Sequence, residues 1–217
     1  MRIIDITGPI YDGMWTYGPP YPDVIVEEIP QPDFIEYPTY SWRFELGAQT
    51  GTYLETSLHI DRNGPPLVDI PVEKLWMLPT AVIKLPEPVE PLAPISVAML
   101  EAVAPEINEG DVILVASGWG RNWHNADFVT SCPYFEGPAM HWILDHKPYM
   151  MAGDMPRFDS WENPQRFFQR FFEMGTLLLA PLYDLDKITA TRGKLVALPM
   201  RIEETCAAPC RVLFIEE

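Results

Sequence analysis

Gln49-Thr50-Gly51-Thr52-Tyr53-Leu54-Glu55-Thr56-Ser57-Leu58-His59 is the stretch from which the rest of the chain is read. Its hydrogen-bonding side chains fall at positions 49, 53, 55 and 59, a mixture of fourfold and twofold spacing around a Gly-Thr pair. That pattern suits a strand or tight loop running into a helical turn, and it aims several functional groups at one point. Glu55 and His59 form an acid/base-capable pair, and on a helical turn a separation of four residues puts both on one face. Immediately upstream, Tyr40 to Leu46 alternates Trp42, Phe44 and Leu46 with Ser41, Arg43 and Glu45, the period-two signature of a half-buried strand. The candidate site is therefore expected at the end of a strand.

Working outward, Arg2 to Thr7, Asp23 to Ile29, Ala81-Val82-Ile83, Asp111 to Ala116, Tyr149 to Ala152, Thr176 to Leu179, Leu195 to Ile202 and Arg211 to Ile215 read as strands. Ser96 is placed to cap a helix carrying Val97, Leu100 and Val103. Glu136 to Leu144 is a second expected helix, and Asn163 to Met174 a third, dense in Phe. Pattern alone gives an α/β chain with mixed strands, no internal repeat and no domain boundary, so residues 1–217 are read as one domain.

Two strand ends run into glycine, where α/β proteins usually build their sites. One is Ser117-Gly118-Trp119-Gly120, followed by His124; the other is Gly153-Asp154. His124 is read either as a site residue or as a surface histidine. Asp154 is either a site carboxylate or a turn residue bonded to its own backbone. In the loop Ile10 to Tyr21, Trp15 and Tyr17 are placed to stack on an aromatic substrate or to serve ordinary packing. His141 and His146 are taken as surface residues.

Composition narrows the partners. Lys and Arg number 15 against 31 Asp and Glu, a formal charge of −16, and such a field repels nucleic-acid phosphate and anionic membrane. No run of eighteen apolar residues and no signal-like start is visible, so a cytoplasmic protein is expected. Three cysteines, Cys132, Cys206 and Cys210, make no disulfide framework. A metal or redox role for Cys206 and Cys210 is weighed against plain buried or loop thiols in a reducing compartment. The 24 prolines are spread through the chain as rigid turns.

The 49–59 stretch resembles the signature HxGTHxDxPxH of the cyclase family, which includes kynurenine formamidases and isatin hydrolases. Later phrases follow the family in order: the Gly-Trp turn at 118–119, the turn beginning Gly153-Asp154, where the family has Gly-x-Asp, and Ala197-Leu198-Pro199-Met200-Arg201-Ile202. The resemblance implies a compact mixed-sheet α/β domain with flanking helices, assembled as a homodimer or homotetramer. It also implies a divalent metal, zinc or manganese, held by two His and an Asp, with the last His moving protons. Position by position, those ligands become Gln49, Tyr53 and Glu55 here, while the final His is kept as His59. The downstream His of the family falls at or beside Phe168 and Gln169, and its downstream Glu at Ala180.

Gln and neutral Tyr are poor substitutes for imidazole at a metal. No cofactor is therefore expected, and the site reads as one whose metal ligands have been replaced. The leading expectation is an enzyme acting on a small carbonyl or amide compound (formamide, lactam or lactone) by metal-independent acid/base chemistry. Glu55 is its base, His59 its proton donor, and Gln49 and Tyr53 its hydrogen bonds to a developing oxyanion. Two alternatives stay open: a non-catalytic small-molecule binder, and a metal-dependent hydrolase with unconventional ligands such as Glu55, His59 and Asp154.

Overall fold

A computed structural model of the protein describes residues 1–216. Twelve strands follow one another as β1 (Arg2–Asp5), β2 (Ile25–Ile29), β3 (Ser41–Glu45), β4 (Tyr53–Glu55), β5 (Leu78–Lys84), β6 (Pro94–Ile95), β7 (Val112–Ala116), β8 (Tyr134–Phe135), β9 (Met150–Gly153), β10 (Leu177–Ala180), β11 (Arg192–Pro199) and β12 (Ala207–Glu216). Three short helices intervene: α1 (Val97–Glu101), α2 (Gly137–Asp145) and α3 (Phe168–Glu173).

Eight strands form one mixed sheet in the order β1-β12-β11-β5-β7-β9-β10-β4. Its centre, β5-β7-β9-β10, is parallel, and these strands are the apolar runs that buried parallel strands require. The length of β12 decides the closure. Cys210–Ile215 pair with β11, while Ala207–Pro209 pair with β4 and the last residues pair with β1. Since β4 also pairs with β10, the sheet closes on itself as a barrel and its long edges disappear.

Strand alternation sorts the core into two layers. Val112, Leu114, Ala116, Ala152, Leu179, Leu195 and Phe214 belong to the cluster inside the barrel. Ile113, Val115, Met151 and Leu178 face the other way, against α2, α3 and the aromatic loops. α2 buries Ala139, Met140, Ile143 and Leu144 on one stripe. α1 begins as expected, with the Ser96 side chain accepting from Met99 N at 3.4 Å.

Three expectations change. The strand before the site is not half-buried: β3 pairs only with β2, and the hairpin leaves Trp42 56% and Phe44 66% exposed. Alternation alone cannot say whether a second layer covers the apolar face. The third helix starts at Phe168 rather than Asn163, because the left-handed Arg166 (φ 60°) cannot lie within a right-handed helix. The 195–202 strand is shifted to 192–199. Among the described residues, no helix is long and apolar enough to cross a membrane.

Candidate functional site

β4 has only three residues, and their alternation builds the site. Leu54 points into the barrel core, while Tyr53 and Glu55 point outward. Glu55 lies opposite Leu178 of β10 and Ala207 of β12, and Tyr53 lies opposite Ala180 and Pro209. These small or apolar neighbours leave room above the strand. A pocket of about 460 Å³ results, lined among others by Tyr17, Gln49, Tyr53, Glu55, His59 and Phe172. That size suits a small organic molecule.

Local chemistry holds β4 in place. Gly51 takes the left-handed conformation the turn needs (φ 63°). Thr52 Oγ1 then donates to Pro181 O at 2.6 Å and accepts from Gly8 N at 2.9 Å. After β4, Thr56 caps a 3-10 turn, Ser57–His59, which folds His59 back over the strand. A strand running into this turn, not a continuous helix, brings the pair together: His59 Nδ1 lies 3.1 Å from Glu55 Oε1.

Glu55 is 3% exposed. Burial pushes its carboxyl above the ordinary carboxylate range, opposed by the charge of His59 and by the Gln49 bond. Gln49 Nε2 donates to Glu55 Oε1 at 2.8 Å and also faces Cys206 Sγ at 3.9 Å. Tyr17 donates to Pro156 O at 2.7 Å, and its oxygen lies 3.1 Å from that of Tyr53. With the Tyr17 hydrogen so committed, Tyr53 is the donor of the pair. Burial raises both phenols. Gln49 and Tyr53, expected to meet a developing oxyanion, are thus turned towards protein partners.

The structure brings together Gln49, Tyr53, Glu55, His59 and Tyr17, and separates the other three candidates from them. Trp15 is core, packed on Trp123 and Phe128 at 5.1 and 4.9 Å. His124 packs against the rings of Tyr11 and Tyr183. Asp154 is fully buried; its Oδ1 accepts from Ser117 N and Oγ at 2.9 and 2.7 Å and its Oδ2 from Gly120 N at 3.2 Å, so it ties β9 to the turn after β7. Burial raises its carboxyl, against those bonds.

Arg157 carries weight that sequence reading did not assign it, and Cys206, weighed there together with Cys210 for a metal or redox role, comes to the site without Cys210. Arg157 lines the pocket, as does Phe168. The Cys206 thiol reaches Glu55 and His59 from the loop before β12, and ligand atoms of these three residues lie within 4.8 Å of one another. Cys210, by contrast, is buried in the barrel core. Carboxylate, imidazole and thiolate are all zinc ligands, so Glu55, His59 and Cys206 fit a three-ligand divalent site. That set differs from the one implied by the 49–59 resemblance, where Gln49 and Tyr53 would ligate, and Asp154 lies outside it.

Residues 4–160 match the sequence profile of the cyclase family, described as "Putative cyclase". The chain belongs to the cyclase family. Solved structures of similar fold include a "Potential Metal-Dependent Hydrolase With Cyclase Activity", at 22% identity and TM-score 0.78 over 100% of this chain and 99% of that one. An isatin hydrolase bound to the product analogue thioisatinate is 20% identical, with TM-score 0.83 over 100% and 93%. Isatin hydrolase A from Ralstonia solanacearum is 20% identical, with TM-score 0.82 over 100% and 92%. No curated protein matches the chain in sequence. At these identities the likeness is one of fold, and the mixed-sheet α/β domain that the resemblance implied is observed, here closed into a barrel.

Proposed function

We propose that this cyclase-family protein is an enzyme acting on a small carbonyl or amide compound by acid/base chemistry centred on His59. The observation that carries this reading is the 3.1 Å contact between His59 Nδ1 and buried Glu55 in the pocket floor. Glu55 acts through His59. When Glu55 is ionised, Nδ1–H donates to it and Nε2 presents a lone pair, a base. When Glu55 is protonated it donates to Nδ1, and Nε2–H becomes an acid. As base, His59 takes a proton at Nε2 from water or substrate, and Glu55 stabilises the imidazolium. Gln49 holds the second position on Glu55 Oε1 and so fixes the carboxylate.

A second reading rests on the convergence of Glu55, His59 and Cys206. A divalent ion held there would supply Lewis acidity to a substrate carbonyl and a more acidic bound water. His59 would then be a ligand and not the proton carrier, so the two readings make opposite predictions. A panel of a formanilide, an aromatic lactam and a lactone, assayed before and after chelation, tests both. The acid/base reading expects turnover that survives chelation and falls about 10²–10⁴-fold in His59→Asn. Turnover lost on chelation and restored by zinc or manganese supports the metal reading. Binding without turnover of any panel member overturns both in favour of a binding protein.

We also infer that the protein works as a homodimer or homotetramer inside the cell. The β2–β3 hairpin supports this, because it and its flanking loop expose Phe34, Tyr37, Tyr40, Trp42 and Phe44 together. Light scattering coupled to gel filtration tests the oligomer; a monomer at micromolar concentration would contradict it.

A further inference from the structure

Facing the Glu55–His59 floor, the loop of residues 156–164 forms one wall of the pocket, and two of its side chains are unusual. Arg157 is 9% exposed, yet no described carboxylate lies within ion-pair distance of it. Its Nε donates to Val129 O at 2.8 Å, one Nη to Asp159 O at 3.1 Å and the other to Thr130 O at 3.3 Å. Its guanidinium stacks on Trp161 at 4.0 Å. Three carbonyls and a ring fix its position without neutralising it. A guanidinium has five N–H groups; these bonds use three, and the buried Cys132 thiol also lies beside the guanidinium, which leaves at least one N–H without a protein acceptor.

Ser160, 8% exposed, is the second donor. Its Oγ accepts from Asn163 N at 3.0 Å, and no described hydrogen bond uses its own hydroxyl hydrogen. The neighbouring carboxylate, Asp159, does not compete for either group. It accepts from the backbone N–H groups of Ser160 and Gln165 at 2.7 Å and of Arg166 at 3.2 Å, which is how the loop is held.

A buried positive charge without a counter-charge is costly, and it persists where something else requires it. An incoming carboxylate is the matching group, because it accepts in parallel from a guanidinium edge and a hydroxyl. The rest of the wall is apolar and aromatic, with Trp161, Phe168, Phe172 and Leu178. We propose that Arg157 and Ser160 form a carboxylate-recognition subsite, so that the substrate is a planar, apolar molecule bearing an anionic carboxylate besides the carbonyl presented to His59. This rests on the functional reading above for the word substrate; the subsite itself does not depend on the chemistry at His59. Arg157 and Ser160 are here specificity-determining residues.

Benzoate and benzamide, equal in shape and different in charge, are the probes. Binding is measured to the intact protein at neutral pH and fixed ionic strength by titration calorimetry or ligand-observed NMR. Benzoate is expected to bind at least tenfold more tightly than benzamide. Arg157→Gln is expected to erase that preference, and Arg157→Lys to restore part of it, because a merely structural arginine would not move charge selectivity. If Arg157→Gln does not fold, Ser160→Ala carries the test: benzoate affinity is expected to fall several-fold while benzamide affinity is unchanged. Equal binding of the two probes to the natural protein, or no binding of either at millimolar concentration, overturns the subsite. Turnover unaffected by His59→Asn would overturn the functional reading while leaving the benzoate preference in place, so the two failures are distinguishable.

Discussion

The hydroxyls of Tyr17 and Tyr53 are 3.1 Å apart, and because Tyr17 gives its hydrogen to Pro156 O, Tyr53 gives its own to Tyr17. The consequence is a relay that runs from the site strand into the 156–164 loop. Tyr53 therefore faces the pocket as an acceptor.

Removing the two hydroxyls should not be equivalent. Tyr17→Phe breaks both bonds of the relay and releases the Tyr53 O–H into the pocket; it is expected to cost about 1–3 kcal/mol. Tyr53→Phe leaves the Tyr17–Pro156 bond intact and is expected to cost about 1 kcal/mol or less. Thermal unfolding of the two variants side by side gives the comparison. Equal losses would mean that the donor order in the relay is the reverse.

Glu55 sets a pH dependence of stability. Its folded-state carboxyl is raised above the ordinary carboxylate range, with burial the main cause, so the native state binds more protons than the unfolded state in the window above that range. Stability then falls as pH rises through the window, and the penalty is complete once the folded carboxyl ionises. Glu55→Gln is expected to be more stable than the natural protein by about 1 kcal/mol near pH 8 and to lose that advantage near pH 4. Urea midpoints at the two pH values decide this, and a variant less stable at pH 8 would show that the His59 contact outweighs burial.

Asp154 should matter to stability and not to ligand binding. Asp154→Ala strands the Ser117 and Gly120 donors inside the protein, at a cost of about 2–4 kcal/mol. For a chain of this size that lowers Tm by about 5–15 °C. Calorimetric melting reads the loss, and benzoate affinity of the folded variant is expected to stay within about twofold of the natural protein. A selective loss of affinity without destabilisation would return Asp154 to the site.

The three thiols should react in a fixed order. Burial pushes the Cys132 thiol up to about 11 and Cys210 higher still, while Cys206 is half-buried and raised by burial and by Glu55. Iodoacetamide at pH 8 is expected to modify Cys206 first, more quickly as pH rises, with Cys132 and Cys210 protected until unfolding. Peptide mass spectrometry gives the order directly. Zinc added beforehand is expected to leave the Cys206 rate unchanged if the acid/base reading holds, and to suppress it if Cys206 is a ligand.

Much of the sheet, though not its closure, was legible because its parallel strands are continuous apolar runs such as Val112–Val115, whose period and composition are local properties. The Glu55–His59 pair was legible for the same reason: four residues of chain, capped by Thr56, bring the groups together almost regardless of the rest of the molecule. Sequence by itself thus determined the family, most of the central strands and the closeness of Glu55 to His59. Tertiary structure decided everything that depends on register and on distance along the chain. Pairing of Ala207 with Glu55 brings Cys206 to the site from about 150 residues away, and pairing of Ala180 with Tyr53 puts a small apolar side chain into the pocket lining beside the polar pair. Burial separated true neighbours from lookalikes. Asp154 and His124 sit beside glycine turns that read as sites, yet the first ties a turn and the second packs on tyrosines. Arg157 carried no sequence signal at all, because an arginine is ordinarily solvated; only the packing around the 156–164 loop buries it and places it in the pocket lining.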